Sequence, residues 1–260
     1  MPLAFLTASQ AEEPRAGSCV VMVRTREEFV RWLRDPTPGV EWLQVEGLLG
    51  DAEAWAMAAQ GPSSLPLDVI VADPAAEYSL LYRLVDTRIV RGVRVTIPAA
   101  PGLMKALRLA ASLQLPVRLL PGQPSSETLD ELTAAARFYL HDPMVDAPVE
   151  FFHSLLAACR GMPTGTLWRI LEEDPGIFAR AESQNPPDFV AAHLSQLIGK
   201  GAECATCRWQ TTCAGYFKWP DPEYACGGVK QLFALFECAA HEIGVDLAAH
   251  EENAILLPTR

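Results

Sequence analysis

The sequence predicts an α/β protein with parallel strands, continued by a helical segment and a small cysteine-rich module. Three observations support this prediction: short apolar runs recur at regular spacing, amphipathic stretches separate them, and four cysteines gather near the C-terminus. The apolar runs lie at 18–24, 40–46, 67–72, 92–97 and 115–120, so their first residues are 22, 27, 25 and 23 positions apart.

Each apolar run has the composition of a buried strand. Their sequences are SCVVMVR, VEWLQVE, LDVIVA, GVRVTI and LPVRLL. The stretches between them, REEFVRWLRD, DAEAWAMAAQ, AAEYSLLYRLVDT and GLMKALRLAASLQ, carry apolar residues three and four positions apart, which is the period of an amphipathic helix. Strands and helices alternating at this spacing predict parallel βα units. The units form either an open parallel sheet or a partial (βα)5 barrel, and they are too few for an eightfold barrel.

After these units the strand pattern stops and only helices are predicted. They lie at 127–140, 146–159, 166–174 and 187–198, and a last helix covers GVKQLFALFECAAHEIG. The predicted domains are a partial βα barrel-like domain at 1–142, a helical bridge at 143–200, and a cysteine-rich module with a closing helix at 201–260.

Composition and charge restrict the classes of partner. The chain has 260 residues, half of them hydrophobic, which is enough to bury a sizeable core. Its 21 basic and 32 acidic side chains give a net charge of -11, which repels a phosphate backbone, so no nucleic-acid partner is expected. The N-terminal sequence MPLAFLTASQAEEPR has the pattern of neither a signal peptide nor a membrane span. We therefore expect a cytoplasmic protein without a membrane partner.

The cysteine loop, residues 204–228, carries the strongest chemical signal. Cys204 and Cys207 form a C-x2-C pair, Cys213 follows after five residues, and Cys226 follows after twelve more. In a compartment that keeps thiols reduced, such cysteines are metal ligands more often than disulfide partners. The spacing leaves three possibilities open: an iron–sulfur cluster, a zinc ion, or four unliganded thiols. The unequal halves of the pattern count against structural zinc, and the ferredoxin spacings do not match either.

With Gly215 placed two residues after the third cysteine, the C-x2-C-x5-C run and the later Cys226 resemble the SPASM domain of radical SAM maturases. The resemblance implies that Cys204, Cys207, Cys213 and Cys226 bind one auxiliary [4Fe-4S] cluster. A further cysteine of the family pattern is replaced by Phe217, so one cluster is expected rather than two.

The chain also lacks the C-x3-C-x2-C triplet with which radical SAM enzymes bind their catalytic cluster. It therefore resembles a degenerate, pseudo-radical SAM protein with a shortened barrel, a helical bridge and a SPASM-like end. The resemblance implies an accessory, non-catalytic protein that works beside a radical SAM enzyme on a peptide or protein substrate, as an electron relay or as a recognition surface. The rival interpretation is a zinc-stapled interaction protein without a redox role.

The remaining candidate residues have structural interpretations. Cys19, Cys159 and Cys238 lie in apolar segments and are predicted to be core residues. The five histidines show no metal-ligand spacing and are predicted to be helix-surface or capping residues. The aromatic residues of the cysteine loop are predicted to form its miniature core. The expected strand ends carry no recognisable catalytic set: they hold Arg24, Glu46, Asp73 and Gln123.

Overall fold

A computed structural model describes residues 4–12, 17–61, 63–170 and 186–255. Contacts divide the chain into two compact units, Met1–Glu150 and Phe151–Arg260, here named the sheet unit and the cysteine unit. The three-part division into 1–142, 143–200 and 201–260 stays a prediction.

The sheet unit contains six strands and six α-helices among its described residues. The strands are β1 Ala4–Thr7, β2 Cys19–Val23, β3 Val40–Glu46, β4 Leu67–Ile70, β5 Val93–Pro98 and β6 Val117–Leu120. The helices are α1 Arg26–Arg34, α2 Ala52–Ala58, α3 Pro74–Glu77, α4 Val85–Val90, α5 Leu103–Ser112 and α6 Ser126–His141.

The six strands form one sheet in the order β1-β2-β3-β4-β5-β6, and every neighbouring pair is parallel. The predicted α/β class with a parallel sheet is therefore confirmed. Strand β1 was not predicted, because its four residues AFLT are too few to show a pattern and it lies at an edge of the sheet. Val149 forms a single parallel bridge to Val117 beside β6, the other edge strand.

Helix starts in the sheet unit are fixed by side-chain caps. Thr25 accepts a hydrogen bond from the backbone N–H of Glu28 and completes a capping box that starts α1. Asp51 caps α2 by accepting from the N–H groups of Glu53 and Ala54. Asp51 also forms an ion pair with Arg26 at 2.7 Å, so the first turns of α1 and α2 are tied together.

One predicted helix, at 75–87, is divided in the structure. Helix α3 ends at Glu77, a 3₁₀ segment covers Tyr78–Leu84, and α4 follows. Leu81 and Leu84 are both fully buried and lie three residues apart within the 3₁₀ segment. A 3₁₀ helix has three residues per turn and places such positions on one line, so it buries both together.

The two faces of the sheet differ in chemistry. Because successive side chains of a strand alternate between faces, Val69 and Val95 share one buried aliphatic face with Leu119. The opposite face carries Asp68, Thr96 and Arg118, which are also buried.

These polar side chains satisfy one another. The Thr96 hydroxyl donates to Asp68 Oδ1 at 2.5 Å and accepts from Arg118 Nε at 2.9 Å. Arg118 and Arg94 also contact Asp68 Oδ2, at 3.2 and 3.1 Å. The pairing gives a buried carboxylate in a sheet the partners it needs.

The cysteine unit is helical among its described residues. Its α-helices are α7 Glu150–Cys159, α8 Leu167–Ile170, α9 Pro186–Gly199, α10 Gln210–Cys213 and α11 Gly227–Ile255. Short 3₁₀ turns cover Glu203–Thr206 and Tyr216–Lys218.

The helix boundaries of this unit differ from the predicted ones. Helix α7 begins at Glu150 rather than at 146, because Val149 is held extended in its bridge to Val117. The predicted helix 166–174 is described only as α8, and its last four residues lie outside the described part of the chain. We find no described helix with a stretch long and apolar enough to span a lipid bilayer.

Candidate metal centre

One short turn and two helix ends position the four predicted ligands. Cys204 lies in a 3₁₀ turn, and the N–H of Cys207 closes that turn on the Cys204 carbonyl at 3.3 Å. Cys213 is the last residue of α10. Cys226 directly precedes α11, and its carbonyl accepts the N–H of Lys230 at 2.8 Å in the first helical turn.

All four cysteines line the same cavity. The lining atoms enclose about 410 Å³ of free space, counting the opening to solvent, of which about 30 Å³ admits the centre of a water molecule. Cys204 is buried, and Cys207, Cys213 and Cys226 are half-buried. The fold thus brings together side chains that are up to 22 positions apart in the sequence.

The thiols are spread around the cavity wall. Within the part of the chain that the structure describes, no three Cys, His, Asp or Glu side chains form a group that could hold a single metal ion. The prediction that Cys204, Cys207, Cys213 and Cys226 are cofactor ligands stays a prediction.

Burial favours the protonated forms of Cys204, Cys213 and Cys226. It raises the pKa of the Cys213 thiol to about 11 and that of the Cys226 thiol to about 12. The pKa of Cys204 is also raised, again mainly by burial. Thiolates are the metal-binding form of cysteine, so metal binding must displace protons from this cavity.

The Cys213 sulfur is surrounded by backbone donors. The N–H groups of Gly215, Tyr216 and Phe217 hydrogen-bond to the sulfur and lower the Cys213 pKa against the larger effect of burial. Backbone N–H groups around a ligand sulfur are a known determinant of iron–sulfur potentials. The chain turns sharply enough to aim them because Ala214 and Gly215 are both left-handed, with φ of 47° and 78°.

Two buried side chains hold this left-handed turn from outside. Trp168 Nε1 donates to the Ala214 carbonyl at 2.9 Å, and His193 Nε2 lies 3.2 Å from the Gly215 carbonyl. Because a carbonyl only accepts, Nε2 must carry the hydrogen. Burial lowers the pKa of His193, which favours the neutral ring. The prediction that His193 is a helix-surface or capping residue is therefore wrong, since it is buried against the turn.

Apolar side chains form a large part of the cavity wall. The cavity is lined by Trp209, Phe217, Val229 and Phe233 in addition to the cysteines. Phe217 is fully buried, and Trp209 is held by a hydrogen bond from its Nε1 to Glu237 Oε1 at 2.7 Å. The predicted core role of the loop aromatics agrees with this packing.

Charged side chains lie on one side of the same cavity. Glu203 forms ion pairs with Lys218 Nζ, at 3.3 Å, and with Lys230 Nζ. Its Oε1 also accepts the backbone N–H of Cys226 at 3.3 Å. Hydrogen bonding to Lys230 is the main cause that lowers the pKa of Glu203 to about 2. Sequence reasoning missed this group, because nothing in the spacing of these residues marks them as neighbours.

The other three cysteines do not line the cavity. Cys19 and Cys159 are half-buried, which fits a packing role in part, whereas Cys238 is exposed. The predicted core position of Cys238 is wrong, because it lies on the outer side of α11 while Phe236 and Ala239 point inward.

The polar residues at the strand ends of the sheet unit have structural roles. Arg24 and Glu46 form an exposed ion pair at 2.6 Å. Asp73 caps α3 by accepting from the N–H groups of Ala75 and Ala76.

No family model matches the chain, and neither a curated protein nor a solved structure is significantly similar to it.

Proposed function

We propose that Cys204, Cys207, Cys213 and Cys226 bind one [4Fe-4S] cluster, and that the protein is an accessory iron–sulfur protein of a radical SAM maturation system. The observation that carries the proposal is the convergence of these four thiols on one cavity. A cubane cluster takes one thiolate at each of its four irons, so four thiols around a cavity supply a complete ligand set. Zinc would need the same thiols to close on a single point, at Zn–S distances of about 2.3 Å.

The surroundings of the thiols fit an anionic, water-shielded centre. Phe217 and Phe233 line the cavity with apolar surface, and the N–H groups around Cys213 stabilise charge on its sulfur. Lys218 and Lys230 add positive charge to the cavity wall. Hydrogen bonds, burial and nearby charge are the means by which a protein sets an iron–sulfur potential.

A bound cluster would supply one-electron transfer, a covalent staple for the loop, or both. The residues of the chain hold and shield it, and His193 and Trp168 keep the Cys213 turn in place. Because burial raises the pKa of the Cys213 and Cys226 thiols, these two are poor nucleophiles before a metal binds. This favours a metal-holding role over a catalytic cysteine.

The proposed partner is a radical SAM enzyme that modifies a peptide or protein. Support comes from the resemblance of the cysteine pattern to SPASM domains, together with the lack of a C-x3-C-x2-C triplet in the sequence. The parallel sheet, with its strands in sequence order, is the arrangement expected of a shortened barrel. We propose that this sheet unit, the helices that follow and the cysteine module correspond to the barrel, bridge and SPASM-like end of such an enzyme.

The test is the iron, sulfide and zinc content of the protein purified without oxygen, with a visible spectrum. We expect about four irons and four sulfides per chain and broad visible absorption. One zinc per chain without iron would overturn the proposal and leave the zinc-stapled interaction protein. Protein that contains neither metal and takes up no iron on reconstitution would overturn both.

A further inference from the structure

Lys218 is a buried lysine at the wall of the cysteine cavity. Only 7% of the residue is exposed, although lysine is among the side chains least often buried without a partner. It lines the cavity together with Lys230, which is half-buried.

The two lysines share one carboxylate. Glu203 accepts from both ammonium groups, and among the described residues it is the one carboxylate that lines the cavity. We name Glu203, Lys218 and Lys230 the charge triad. With two positive charges and one negative charge it is net positive, and the Lys218 ammonium is its one buried charge. A buried charge is costly unless an opposite charge lies beside it.

The thiols are the groups that can supply this opposite charge. Lys218 and Lys230 line the same cavity as Cys204, Cys207, Cys213 and Cys226. Glu203, which pairs with both lysines, also accepts the backbone N–H of Cys226 at 3.3 Å. The triad thus lies at the wall that carries the proposed ligands.

We infer that the charge triad compensates the negative charge of the metal–thiolate centre and raises its reduction potential. This inference rests on the proposed function. A [4Fe-4S] centre with four thiolates is anionic, and one-electron reduction by an external low-potential donor adds a further negative charge. A buried ammonium group beside the sulfurs stabilises the reduced state more than the oxidised state, because the Coulomb attraction grows with the added charge.

The test is a redox titration of the full chain, purified without oxygen and followed by electron paramagnetic resonance. The substitution Lys218→Met removes the buried positive charge and keeps an apolar side chain of similar length. We expect the reduction equilibrium constant to fall at least tenfold, which is about 59 mV for one electron. Lys230→Met should shift the potential in the same direction by less, because this side chain is more exposed.

Glu203→Gln should shift the reduction potential in the opposite direction. It removes the only carboxylate of the triad, so the potential should rise. Lys200→Met is the matched control, because Lys200 is exposed and does not line the cavity. It should leave the potential unchanged. A merely structural role of the triad would not produce shifts of opposite sign in the lysine and glutamate variants.

The outcomes separate the two claims. Wild-type protein without iron overturns the proposed function, and the inference with it. A wild-type cluster whose potential is unchanged in Lys218→Met, or shifted equally in Lys200→Met, overturns the inference alone. Should Lys218→Met fail to hold the cluster, Lys230→Met and Glu203→Gln decide: opposite shifts support the triad, and equal or absent shifts overturn it.

Discussion

The sheet unit and the cysteine unit bury different kinds of core. In the sheet unit aliphatic side chains such as Val69, Val95 and Leu119 are fully buried between regular elements. In the cysteine unit the loop that carries the proposed ligands consists of turns of three or four residues, which surround thiols and aromatic rings. Short turns gain little stability from their own hydrogen bonds, so they depend on what fills the space between them.

The two units should therefore respond differently to the loss of a bound metal. An aliphatic core between strands and helices is stable without a ligand, because burial itself supplies the free energy. A loop whose thiols face a common cavity reaches its full stability only when the ligand is bound, because metal binding and folding are coupled.

Metal removal should give the largest difference. After chelation we expect the cysteine loop to lose most of its protection against amide hydrogen exchange, while strands β2 to β5 keep theirs. Hydrogen-exchange mass spectrometry on the two forms measures this peptide by peptide. Equal loss in both units would mean that the sheet unit also depends on the metal, against the contrast drawn here.

Within the sheet unit, the buried ion pair gives the next largest effect. Asp68→Ala removes a buried carboxylate that contacts Arg118, which is only 1% exposed, so we expect a loss of about 3–5 kcal/mol in the free energy of unfolding. Glu46→Ala is the control, because its pair with Arg24 is exposed and should contribute at most about 1 kcal/mol. Denaturant titrations measure both. Similar costs for the two variants would contradict the role given to the buried network.

Gly215→Ala tests the turn around Cys213. A Cβ there would require the left-handed φ of 78° and would lie 2.9 Å from Leu197 Cδ1. We expect a cost of about 1–3 kcal/mol and weaker metal retention, because the N–H donors to Cys213 move. Gly199→Ala is the control, since nothing lies within 4 Å of its added Cβ. The two variants are compared by their metal content during dialysis against a chelator. Equal retention would contradict a role of the Gly215 turn in metal binding.

The smallest expected effect is at the cap of α2. Asp51→Ala should cost about 1 kcal/mol, because two N–H groups lose their acceptor. A hydrogen bond from Arg26 is the main cause that lowers the pKa of Asp51 in the folded state. Its contribution is therefore complete above the unfolded pKa of about 3.9 and is lost as the pH falls through the lower folded value. The free energies of unfolding of wild type and Asp51→Ala, measured at neutral and acidic pH, should become more similar as the pH falls. A difference that does not change with pH would contradict a stabilising role of the ionised Asp51 carboxylate.

The sheet was predictable because its signal is periodic. Strands β2 to β6 coincide with the five apolar runs, since parallel strands buried on one aliphatic face leave a dense pattern of Val, Leu and Ile. The 3₁₀ segment at Tyr78–Leu84 was not predictable, because its three-residue spacing also fits an α-helix.

The candidate ligands could be identified from spacing, but their surroundings could not. The C-x2-C pair is visible in the sequence, whereas Trp168 and His193 lie 36 and 11 positions before Cys204 and belong to no motif. Nothing in the sequence distinguishes Lys218 from a surface lysine, although the fold buries it. Side chains that support a site through a single hydrogen bond or charge leave no local pattern.

The most direct test of the central claim, that four thiols act as one ligand set, is the iron content of Cys226→Ala beside that of Cys238→Ala. Cys226 is the ligand most distant in sequence from the C-x2-C pair, and Cys238 is exposed and outside the cavity. We predict that Cys226→Ala loses most of its iron after anaerobic purification, while Cys238→Ala keeps about four irons per chain. Full iron content in Cys226→Ala would contradict the four-cysteine centre.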